Sequence, residues 1–98
     1  LTLTAEVEAL TFRKWRYHLR SPIQVSVFQD GELWRHQFVA LDIRACGRTR
    51  KESADAFSEH FSSIWQWIAQ TEDGSLGPEA VELKREISKL VQSVETLR

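Results

Sequence analysis

Cysteine, methionine, proline and glycine are all scarce in this 98-residue chain: one Cys, no Met, two Pro and four Gly. A single cysteine, Cys46, excludes an internal disulfide framework and favours a reducing compartment, so a cytoplasmic location is expected. None of His18, His36 and His60 stands three to five residues from another, so the spacing of a zinc site is missing as well. The glycines build no phosphate-binding loop, and Gly47 reads as a turn residue. No apolar run approaches the roughly 20 residues that span a bilayer, and no signal-peptide pattern opens the sequence. Leu1 in first place with no Met anywhere points to a trimmed or unusual start. Internal repeats and low-complexity segments are absent.

What is present is the composition of one ordinary soluble domain, 42% hydrophobic and 28% charged, long enough for a single modest core. The formal net charge of −1 is unevenly spread. Residues 1–51 hold nine Lys/Arg against five Asp/Glu, a net +4, and residues 52–98 hold four against nine, a net −5. That asymmetry points to a charged partner for the basic half, or to attraction between the halves within the fold.

Leu3, Ala5, Val7 and Ala9 alternate with Thr4, Glu6 and Glu8, the pattern of a strand with one wet face. Leu10 and Phe12 continue the apolar side one residue out of step, which predicts a bulge near Ala9-Leu10. Arg20-Ser21-Pro22 reads as the next break, because Pro22 has no N–H to give a ladder and restricts the residue before it. Ile23 to Phe38 reads as a hairpin with Asp30-Gly31 at its tip, a pair suited to a two-residue type I′ turn. That register pairs Val27 with Trp34, Val25 with His36 and Ile23 with Phe38; a three-residue turn would change it. A bend or bulge is expected after Phe38, where the apolar phase moves to Val39, Leu41 and Ile43.

Thr49-Arg50-Lys51-Glu52 matches a capping box that opens a helix. Ala54, Phe57, Phe61, Ile64, Trp65 and Ile68 form its apolar stripe. Trp67 lies about 200° round from Trp65, on the polar side. Residues 71–77 form a loop, and Pro78 suits the first turn of a last helix. There Ala80, Leu83, Ile87, Leu90, Val94 and Leu97 recur at spacings of three and four, a seam that faces a partner helix. The seam packs either within the subunit or against a second one. The expected architecture is α+β: one domain, 1–98, with a three- to four-stranded antiparallel sheet (1–46) followed by two C-terminal amphipathic helices (49–71 and 78–97).

Few residues suggest chemistry. No grouping supplies a nucleophile, a base and an orienting group together, so no catalytic residue, metal or cofactor is assigned. Cys46 reads as a small residue filling a strand end, with a reactive thiol beside Arg44 and Arg48 as the sharper alternative. Glu52, Asp55 and Glu59 share a helix side but read as a solvated acidic face. Arg13, Lys14, Trp15, Arg16 and Arg20 interleave cations with aromatics and form a candidate nucleic-acid contact, or a charged, protected edge strand. Arg48, Arg50 and Lys51 crowd a helix N-terminus, where exposed cations cost about 0.3–1 kcal/mol each, so they are a candidate contact for an anion or a partner. The Trp34, His36 and Phe38 face, Trp67 and the seam residues Leu83, Ile87, Leu90 and Val94 are candidate protein interfaces.

Gly47-Arg48-Thr49-Arg50-Lys51-Glu52-Ser53, preceded by Asp42-Ile43-Arg44-Ala45, resembles the strand–turn–helix junction of the HicB-like antitoxin group and related small uncharacterised prokaryotic proteins. Their G-x-T-x-x-E-A segment is matched at Gly47, Thr49 and Glu52, with Ser53 in place of Ala. The likeness covers residues 23–70. It implies a protein that binds and neutralises a small RNA-cleaving toxin, often with a separate DNA-binding region. The chain departs from the group in its second long helix, where a further strand is usual, and in showing no ribbon-helix-helix or helix-turn-helix segment. The resulting expectation is a non-catalytic protein-binding module, antitoxin-like or regulatory, acting as a homo-oligomer and most simply a dimer. Its partner would be a protein such as a small toxin. A nucleic-acid-binding domain is the alternative, and no membrane association is expected.

Overall fold

The computed structural model describes all 98 residues, Leu1–Arg98. Strands β1 (Thr2–Phe12) and β2 (Trp15–Asp30) form a long hairpin, which β3 (Leu33–Phe38) and β4 (Ile43–Gly47) continue as an antiparallel meander. Helices α1 (Arg50–Ile64) and α2 (Pro78–Leu90) follow, and β5 (Val91–Thr96) ends the chain. The α+β architecture expected from the sequence is present, with one strand added after the helices. The sheet order is β1-β2-β3-β4, and β5 also pairs with β2. One edge of β2 is taken by β1 along nearly its whole length. Its other edge is shared, with β5 against residues 15–19 and β3 against residues 26–30.

The expected break at Arg20-Ser21-Pro22 is not a strand end. The chain reverses earlier, at Arg13-Lys14, where Arg13 takes a left-handed φ of 54°. β2 runs on through Pro22 because that stretch carries no ladder: its pairing with β1 steps from Val7–Ile23 to Ala9–His18, leaving Leu19 to Pro22 opposite Glu8 alone. Neither β3 nor β5 reaches Pro22, so its missing N–H costs nothing there. The same irregularity accounts for the phase slip between Val7 and Leu10.

The β2–β3 register is also shifted by two residues. Val27 faces His36 and Asp30 faces Leu33, so the two-residue turn is Gly31-Glu32 and not Asp30-Gly31. Positive φ is confined to Gly31 at the first turn position, as in a type II′ turn. A shift of two preserves which face each side chain occupies, so Val25, Val27 and His36 still share one side. A 3₁₀ turn at Val39–Leu41, closed by Asp42 at φ 51°, makes the bend expected after Phe38.

The last helix stops at Leu90, not at residue 97. Val94 and Leu97 are therefore not helix seam residues, and the heptad reading fails at its C-terminal half. Leu19 pairs with Val91 and His18 with Ser93, so Gln92 is an extra, bulged residue. The bulge places Val91 and Val94 on the same sheet face three residues apart, a spacing that imitates a helix.

The core lies between one sheet face and the helices. Leu10, Tyr17, Leu19, Ile23 and Val25 pack with Leu41, Ile43 and Ala45, and with Phe57, Phe61 and Ile64 of α1, Ile87 of α2 and Val91 of β5. Tyr17 is fully buried and meets the Phe61 and Trp65 rings edge-on. Its hydroxyl lies 2.6 Å from Ser62 Oγ, and Gln66 Nε2 donates to it, so the phenol is satisfied inside the core. The opposite sheet face, with Thr4, Glu6, Arg16, Gln24, Arg35, Arg44 and Cys46, carries no helix and is mostly polar, with Phe28 and Leu33 half-buried on it.

Candidate functional site

The junction from β4 into α1 is built by close packing. Thr49 Oγ1 accepts the Glu52 amide at 3.0 Å, and Glu52 Oε2 accepts the amides of Thr49 and Arg48 at 3.3 and 2.9 Å. The capping box is complete, so the amides of Arg48, Thr49, Glu52 and Ser53 are taken by protein groups. Gly47 is required by space: a Cβ there would sit 2.5 Å from the Ser53 amide nitrogen. Ser53 is fully buried, and its Oγ lies 2.8 Å from His36 Nδ1.

Beside this junction a groove of about 530 Å³ opens between β1 and the first half of α1. Ala5, Val7, Ala9, Leu10 and Val25 line it from the sheet, and Ala54, Phe57 and Ser58 from the helix. His36, Arg50 and Lys51 supply its polar groups. Lys51 Nζ is held 2.8 Å from Asp55 Oδ2, and this hydrogen bond and charge raise the lysine above its ordinary pKa. No ion pair of the protomer involves Arg50 or Arg48. Burial, and next the Arg50 charge, pull the His36 pKa down, so the ring is neutral at pH 7. The arrangement offers an apolar trough with two cations at its rim, Lys51 held by Asp55 and Arg50 unpaired. Ser53 is inaccessible, and the one side-chain hydrogen bond of His36 is to that hydroxyl.

The structure separates several residues that the sequence grouped. Of the three junction cations, Arg50 and Lys51 line the groove, and Arg48 does not. The Trp34, His36 and Phe38 face lies on the covered side of the sheet. His36 is buried there, and Trp34 and Phe38 are half-buried, so this face is not a free interface. Ile87 is fully buried, and Leu83, Leu90 and Val94 pack around the same core, so the seam is used within the protomer. Trp67 is 76% exposed on a π-helical turn, Trp65–Ala69, that continues α1. It remains a candidate contact, away from the groove-lining residues.

The basic-aromatic segment is divided as well. Arg13 and Lys14 form the β1–β2 turn, Arg16 and Arg20 are exposed on β2, and Trp15 and Tyr17 point to the core side. The Lys14 ammonium lies over the Trp15 ring at 4.9 Å, occupying a face that a base would need. Cys46 is exposed on the polar sheet face rather than filling a strand end. The Glu52, Asp55 and Glu59 side holds no metal-binding cluster: Glu52 caps and Asp55 pairs with Lys51. No helix is long and apolar enough to cross a membrane. Sequence reasoning missed the groove itself, whose one local signal was the small size of Ala5 and Ala9 among the β1 residues that line it. Comparison with family models, curated proteins and solved structures finds no match to this chain.

Proposed function

We propose that this chain is a non-catalytic protein-binding module, resembling an antitoxin or small regulatory protein, that acts as a dimer. The observation that carries the reading is the apolar groove rimmed by Arg50 and Lys51 beside the β4–α1 junction. Arg50, which no acid of the chain pairs, sits at a capped helix N-terminus where a cation is unfavourable, and an acidic partner segment offsets that cost, with Lys51 beside it already held by Asp55. The apolar lining gives such a segment a dry surface, and fixed charge at its rim supplies specificity and encounter rate. A small toxin is the partner that the junction's resemblance suggests.

The test is affinity capture from the native host with the wild-type chain and with R50E/K51E, followed by identification and reconstitution of the captured protein. Both side chains are exposed, so the reversal leaves the fold intact. One small protein held stoichiometrically by the wild type and lost from the variant supports the reading. Equal capture by both contradicts it.

A further inference from the structure

We infer that the free edge of β1 is the dimer interface, pairing antiparallel with β1 of a second copy about a two-fold axis at Ala5. This rests on the dimeric reading above and names its surface. β1 pairs only with β2, so its outer edge carries unpaired backbone groups. Proteins guard such edges with Lys, Pro or bulges. From Thr2 to Val7 this strand has none of them: its pairing is regular and its one charged residue is Glu6, with Glu8 and the irregular pairing after Val7 marking the end of the stretch.

The sequence of β1 selects the register. Antiparallel partners share a sheet face, so only registers that keep Leu3, Ala5 and Val7 on the covered side join two protomers into one continuous sheet. Centred on Ala5, Leu3 faces Val7 of the second copy, Thr4 faces Glu6, and Thr2 faces Glu8. Apolar groups meet on the covered face and a hydroxyl meets a carboxylate everywhere else. Centring on Glu6 sets that acid against itself, and centring on Val7 sets Glu6 against Glu8 twice. The Ala5 register is the longest one with no acid opposite an acid.

Surface area agrees. A folded monomer of 11.4 kDa exposes about 5,800 Å², and this one exposes 6546 Å². Leu3 is 39% exposed at the edge and becomes covered in the pair. The two basic-rimmed grooves then open on the same side of a ten-stranded sheet.

The decisive experiment is sedimentation equilibrium of the full chain with T4E and with the exchange T4E/E6T. Within the protomer Thr4 faces Ser26 and Glu6 faces Gln24, so neither change sets like charges on directly paired residues. T4E does place its acid two positions from Glu6 on one face, about 7 Å away, and the exchange removes that contact as well. Circular dichroism and thermal unfolding of T4E therefore check that its fold is intact. T4E places an acid against Glu6 of the second copy at two symmetric positions, and the dimer dissociation constant rises about fivefold or more. T4E/E6T restores hydroxyl opposite carboxylate at unchanged net charge and returns the constant to near the wild-type value. A dimer indifferent to T4E, or one weakened equally by both variants, overturns the β1 assignment while leaving the dimer standing. A wild-type chain that stays monomeric at several hundred micromolar overturns the dimer itself.

Discussion

Gly47→Ala tests whether the β4–α1 junction is set by packing. The added methyl would stand 2.5 Å from the Ser53 amide nitrogen, 2.7 Å from Glu52 Cβ and 2.8 Å from the Glu52 carbonyl carbon. Two of those atoms are backbone inside the first turn of a capped helix, so no flexible side chain can swing away. Relief requires α1 to move off the end of β4, which stretches the 2.8 Å His36–Ser53 hydrogen bond. Overpacking of this kind costs about 1–3 kcal/mol, and the strained hydrogen bond adds about 1 kcal/mol. The alanine recovers about 0.4–1 kcal/mol by restricting the unfolded chain. The net loss is about 2 kcal/mol, or a fall in Tm of roughly 8–16 °C for a domain of this size. Gly74→Ala is the control, because nothing lies within 4 Å of a Cβ there. Thermal unfolding followed by circular dichroism reads both variants. A Gly47→Ala protein within about 0.5 kcal/mol of wild type, a change typical of neutral surface sites, would refute the reasoning.

Two further outcomes follow from the same core. His36 has its pKa lowered by burial and by Arg50, so the unfolded chain binds its proton more readily than the folded one. Its contribution is therefore level above the ordinary value of 6.5 and falls as pH drops from 6.5 through the folded pKa. Urea unfolding should show wild type losing stability relative to His36→Gln between pH 7.5 and pH 5, and parallel curves would count against this. Ile87→Ala removes a fully buried side chain and should cost about 2–5 kcal/mol; a cost under 1 kcal/mol would mean that α2 does not pack on the core.

Local signals were readable wherever the cause was local. The Thr49/Glu52 cap, the apolar stripe of α1 and the Pro78 start depend on neighbours three or four residues apart, and all are present. Faces within β1 to β4 were legible for the same reason, since alternation survives a register shift of two. What the sequence hid depends on distant partners. Pro22 reads as a break until β1's irregular pairing removes the ladder it would have interrupted. Val91 and Val94 read as helix because the Gln92 bulge, set by pairing with β2, gives a strand a helical spacing. The site divided in the same way. Arg50 and Lys51 stood out because capping does not account for them. The groove beside them needed β1, more than forty residues earlier in the chain, and no local pattern reports that approach.

The most direct test of the partner-binding account is an amide-shift map of the ¹⁵N-labelled chain titrated with the purified protein that it captures. The account predicts shifts concentrated at Ala5, Val7, Arg50, Lys51 and Ala54, with the Arg13 to Arg20 segment unmoved. Shifts centred on Arg13, Lys14, Arg16 and Arg20, with the groove silent, would contradict it.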